Sequence, residues 1–170
     1  MENWIVYDTA TGGVCYRAAG PEGASSVQML EEGQALVVVP AQALRGGEPD
    51  LDIIRLFLMA KVDFQAEQVR LRFVTGGAGQ AMTYARKEAE GRAWIADNSV
   101  ATPFLGAEAA ATGIPLAMVA AEVVARADAW VQIGSAIEGT RMGAKAAIDR
   151  AATLGEIVAA ATVDWSAFGG

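Results

Sequence analysis

The chain reads as an α+β protein: a small N-terminal antiparallel β meander followed by a helical bundle or helical hairpin with one long helix. Three observations predict this. Short β-prone runs separated by turn formers fill the first forty residues. A Gly46-Gly47-Glu48-Pro49 loop then closes that region. Beyond it, apolar residues recur at helical spacing, most clearly over residues 114–150, where counting in sevens from Leu116 gives Val123, Trp130, Ile137 and Ala144. Val119, Ile133 and Ile148 extend that stripe, and Glu122, Arg126, Glu138, Arg141, Lys145 and Asp149 fall mainly off it, as in a long amphipathic helix.

Taken in order, Trp4 to Tyr7 and Val14 to Tyr16 are strand-like, and the Asp8-Thr9-Ala10-Thr11-Gly12-Gly13 cluster between them signals a hairpin. Val27 to Leu30 and Ala35 to Val39 read as two further strands on either side of Glu31-Glu32-Gly33-Gln34, and Pro40 ends the set. Asp50 is placed to cap a helix from Leu51, with Ile54, Leu58, Val62, Val69 and Phe73 on its buried face. Gly76-Gly77-Ala78-Gly79 either breaks the helical pattern or marks a close approach, since each glycine costs a helix interior about 1 kcal/mol. Helix resumes over residues 80–95, with Lys87, Glu88, Glu90 and Arg92 solvating one side, and Phe104 to Thr112 forms a short segment before the long helix. Thr153 and Glu156 have the spacing of a capping box for a last short helix. The predicted division is residues 1–48 as a small β-rich attachment module and residues 50–170 as a helical domain, so that a chain started at Asp50 is expected to keep its helicity.

Composition limits function. The chain has 170 residues, 53% of them hydrophobic and 19% charged, which is enough to build a core. A net charge of −7 and a pI near 4.6 oppose phosphates and anionic lipid, so neither nucleic acid nor a membrane is an expected partner. The N-terminus lacks the basic and apolar regions of a secretory signal, and a cytoplasmic site of synthesis is expected. Histidine is absent and Cys15 is the lone cysteine, which removes the usual parts of a soft-metal site or a Ser-His triad. Cys15, between Val14 and Tyr16, is expected to be a small packed side chain.

Motifs with chemistry are scarce. Thr75-Gly76-Gly77-Ala78-Gly79-Gln80 is glycine-rich, but a P-loop needs Lys-Ser/Thr where Gln80-Ala81 stands. Glu31 with Glu32, Asp50 with Asp52, and Glu88 with Glu90 are paired in sequence, at turns, caps or charged faces where solvation accounts for them. No catalytic residue, cofactor site or metal site is assigned. Glu122 with Arg126 and Lys145 with Asp149 have i,i+4 spacing for ion pairs. Small residues such as Ala120, Gly134, Gly139 and Gly143 surround the stripe of the long helix and let other helices approach it. The residues expected to meet a partner are Trp4, Leu116, Val123, Trp130 and Ile137.

Four runs carry a family likeness. They are Gly79-Gln80-Ala81-Met82-Thr83-Tyr84 with Lys87-Glu88-Ala89-Glu90; Thr102-Pro103-Phe104-Leu105 with Glu108-Ala109-Ala110-Ala111-Thr112-Gly113; Ala146-Ala147-Ile148-Asp149 with Ala151-Ala152-Thr153 and Val163-Asp164-Trp165; and the opening from Trp4 to Gly12. Together they resemble the small tail-fibre-assembly-like proteins encoded beside tail-fibre genes in tailed bacteriophages and prophages. The resemblance implies a non-enzymatic protein that binds phage tail or fibre proteins, either staying in the virion or acting as an assembly chaperone. The reading favoured is a component of the virion's tail region, made in the host cytoplasm, and the small-residue faces of the long helix add self-association to its expected contacts. Its first rival is a transient fibre-assembly chaperone absent from the virion. The second is an enzyme with an unrecognised carboxylate site.

Overall fold

The computed structural model describes residues 1–169 and is α+β, about 61% helical and 12% strand. Strand β1, Glu2–Asp8, lies between β2, Val14–Gly20, and β3, Gln34–Val39, and is antiparallel to both. The β1–β2 turn is held by the Asp8 carboxylate, which accepts the Ala10 N–H at 3.1 Å, the Thr11 N–H at 2.7 Å and the Thr11 hydroxyl at 2.8 Å. Val6 pairs with Tyr16 and Tyr7 with Val14, which leaves Cys15 as the extra residue of a β-bulge.

The sheet has three strands, not the four expected, and its order is not sequential. Because β2 and β3 both run antiparallel to β1, they are parallel to each other and need a crossover connection. Residues 21–33 supply it, and their 3-10 turn, Ala24–Val27, touches both β1 and β2. Val27 to Leu30, expected as a strand, finishes this crossover instead. Gly23 takes a left-handed φ of 84°, the Ser26 hydroxyl donates to the Gly23 carbonyl, and the second edge of β1 is occupied by β3. Strand β1 is consequently buried on both faces, with Trp4, Ile5, Val6 and Tyr7 all at or below 5% exposure.

The helices are α1, Leu51–Arg70; α2, Ala78–Ala96; α3, Pro103–Thr112; α4, Leu116–Arg150; and α5, Leu154–Ala161. Asp50 caps α1, its carboxylate accepting the Asp52 and Ile53 N–H groups at 3.0 Å each. Ile54, Leu58, Val62, Ala66 and Val69 form the buried face of α1. Phe73, expected on that face, lies beyond the helix end and is 40% exposed. The Arg70 carbonyl accepts both the Phe73 and the Val74 N–H, turning the chain out of helix before Gly76 and Gly77. Gly77 then takes φ 114° as the residue before α2, and nothing lies within 4 Å of where a Cβ would stand. The glycine run is a helix break.

The chain forms two compact units, and α1 and α4 contribute residues to both. The first comprises Met1–Glu67 and the chain from Glu138 onward. Its core joins Ile5, Tyr7, Val37 and Val39 of the sheet to Ile54, Leu58 and Val62 of α1, Ile148 of α4, and Leu154 and Ile157 of α5. The loop at residues 46–49 is present, but the units divide elsewhere, because the sheet's inner face packs on helices rather than forming a core of its own. The expected capping box is in place: the Glu156 N–H donates to the Thr153 hydroxyl at 3.3 Å, and the Glu156 carboxylate accepts the Thr153 N–H at 3.0 Å.

The second unit is Gln68–Ile137. Its core is Leu105, Val119 and Ala120, with Trp94, Ala109, Leu116 and Val123 packed against them. Pro103 opens α3, and Gly113 closes it with φ 73°. Helix α4 begins at Leu116, two residues after the expected start, because the residue before Pro115 is disfavoured in helical conformation.

Candidate functional site

The stripe of α4 is the least exposed side of that helix, so its seven-residue spacing identified a buried face correctly. At its two ends the chain covers this face itself: Leu116, Val119 and Val123 pack with Leu105, and Ala144 and Ile148 join the core of the first unit. Ile137 has no exposed surface and Trp4 only 3%, which leaves nothing for a partner to touch. Leu116 and Val123 are half-buried against the Leu105 core. Trp130 is half-buried with its indole over Gly134, so close that a Cβ there would meet ring atoms at 2.9 and 3.0 Å. Of these five residues Trp4 belongs to the first unit and Leu116, Val123, Trp130 and Ile137 to the second. Periodicity reports which side of a helix is covered and is silent on what covers it.

Exposed apolar side chains lie elsewhere. On α1, Phe57, Ala60 and Phe64 follow an i, i+3, i+7 spacing on the side away from Ile54, Leu58 and Val62. Phe64 is 65% exposed and Leu56, flanking the row, 69%. In the second unit Met118, Val131, Phe104 and Ile114 are exposed as well. The signal for the α1 face was present in the sequence as a second apolar register offset from the first, and the buried register masked it.

Beside that face sits a charge cluster on α1 and α4. Asp63 accepts from Arg141 at 2.5 Å and from Lys145 at 2.6 Å, while Arg141 also donates to Glu138 at 2.6 and 2.8 Å. Partial burial works to raise the Asp63 carboxyl, but Lys145 and Arg141 outweigh it and hold the group below the ordinary aspartate value. Glu138 and Asp63 push Arg141 further up, so it stays protonated. The expected Lys145–Asp149 pair does not form, since Asp63 engages the Lys145 ammonium instead. The Glu122–Arg126 pair does form.

Two further expectations change. Cys15 is exposed, because it is the bulged residue of an outer strand. Glu90 is 4% exposed and does not solvate its helix; its carboxylate reaches the N-terminus of α3. Of the carboxylates paired in sequence, Asp50 caps α1 as expected, Asp52 pairs with Arg55 at 2.6 Å, and Glu88 accepts from Arg92 at 2.9 Å.

Among the described residues no group of three or more His, Cys, Asp or Glu is placed to hold a metal ion. Among the described residues no single helix is long and apolar enough to cross a membrane. Two open depressions lie in the first unit. One of about 400 Å³ lies between the start of β1, the end of β3 and Phe57. The other, about 320 Å³, lies between the β1–β2 turn and Thr153. Comparison of the chain with family models, curated proteins and solved structures finds no match.

Proposed function

We propose that the chain is a non-enzymatic structural protein of a bacteriophage tail or tail-fibre complex that associates through helix packing. The observation that carries the association is the α1 face of Phe57, Ala60 and Phe64, with Leu56 beside it, an apolar row at helical spacing left open to solvent. Single exposed apolar residues are ordinary on protein surfaces, whereas a row along one helix face is the form that helix-in-groove recognition takes. The tail assignment rests on the likeness to tail-fibre-assembly-like proteins over most of the chain. The partners are then other tail or fibre proteins and further copies of this chain, and the protein resides in the virion.

Mass spectrometry of purified virions from a producing host tests the assignment, with stoichiometric recovery alongside tail proteins as the expected result. Recovery from the lysate but not from particles identifies an assembly chaperone instead. A Leu56→Glu, Phe64→Glu double variant tests the surface. It is expected to keep its fold and to lose co-purification with tail proteins, and unchanged co-purification would remove α1 from the interface.

A further inference from the structure

No further inference is drawn: the strongest candidate, the apolar outer face of α1 formed by Phe57, Ala60 and Phe64, is the surface on which the proposed function already rests, and nothing in the structure shows what covers it.

Discussion

Glu90 and Leu105 are joined by a hydrogen bond in which the Leu105 N–H donates to the Glu90 carboxylate at 3.1 Å; the same oxygen accepts the Phe104 N–H at 2.9 Å. These are N–H groups of the first turn of α3, which have no partner within that helix, and Thr102, the residue in the capping position, makes no side-chain bond to them. A carboxylate from α2 therefore does the work of a cap for α3. The site also favours negative charge, since the dipole of α3 presents its positive end there. Arg86 completes the arrangement by donating to the second Glu90 oxygen at 3.2 Å.

Replacing Glu90 with Ala leaves two N–H groups without an acceptor, one of them buried, and is expected to cost about 2–3 kcal/mol. Glu90→Gln keeps an acceptor oxygen and is expected to cost about 1 kcal/mol, the difference between a charged and a neutral acceptor. Urea unfolding followed by circular dichroism measures both. Equal losses for the two variants would mean that side-chain volume, not hydrogen bonding, is what Glu90 contributes.

Acid sensitivity follows from the carboxylates. Asp63 is lowered in the folded state by Lys145 and Arg141 against the effect of burial, Asp8 by the Thr11 hydroxyl and N–H, and Glu156 by the N–H groups of Ala152 and Thr153. A group whose folded pKa lies below its unfolded one adds stability that is complete above the unfolded value and lost as pH falls through the folded value. With ordinary values of 3.8 for Asp and 4.5 for Glu, the urea midpoint is expected to hold steady above about pH 5.5 and to decline below about pH 4.5. Asp63→Asn should cost about 1 kcal/mol or less at neutral pH, because Asp63 is 41% exposed. It should also flatten the acid decline. A decline equally steep in wild type and variant would remove Asp63 from the explanation.

The parts of the fold legible in sequence were those decided by local chemistry. Asp50 and the Thr153–Glu156 box need only their neighbours in the chain, and each is where its residue types place it. The glycine run left a break and a close approach both open, and only the structure decides for the break. The long helix was legible because seven-residue spacing survives from Leu116 to Ala144, about eight turns. What was not legible depends on distant partners. Glu90 looks like any charged residue of an exposed helix until Phe104 and Leu105 are brought to it from fourteen and fifteen positions away. Lys145 had a well-spaced partner in Asp149 and took Asp63, 82 positions away, instead. Val27 to Leu30 lost its strand because β3 holds the available edge of β1. For the candidate surface the same rule applies: apolar spacing on α4 and α1 looks alike, and only burial tells an inward face from an outward one.

Three glycines give a graded test of backbone geometry. Gly12 has φ 72°, and a Cβ there would meet the Thr153 side chain at 3.1 Å, so Gly12→Ala combines strain with crowding. Gly23 has φ 84° with open space around it, so Gly23→Ala carries the strain alone, about 1–2 kcal/mol. Gly139 is inside α4 with nothing nearby, and Gly139→Ala is expected to stabilise by about 0.5–1 kcal/mol. The expected order of urea midpoints is Gly139→Ala above wild type, then Gly23→Ala, then Gly12→Ala. A Gly12→Ala midpoint at or above that of Gly23→Ala would show that the turn does not press on the start of α5.

Removing residues 1–49 asks whether the sheet is an attachment or part of a core. Ile5, Tyr7, Val37 and Val39 are each 6% exposed or less and pack in one cluster with Ile54, Leu58, Val62, Ile148 and Ile157. Burial of each such side chain stabilises by about 1.5–3 kcal/mol. Losing four of them withdraws roughly 6–12 kcal/mol, an amount comparable to the whole stability of an ordinary domain. The Leu105 cluster of the second unit contains no residue from this region and is untouched by the deletion. The fragment starting at Asp50 is therefore expected to unfold in two stages, with the helices of the first unit melting at low urea and α2, α3 and the start of α4 holding longer. Circular dichroism against urea resolves these stages. A single transition at the full-length midpoint would mean that α1, α5 and the end of α4 need no sheet, and that the chain is built as a detachable β module on an independent helical domain after all.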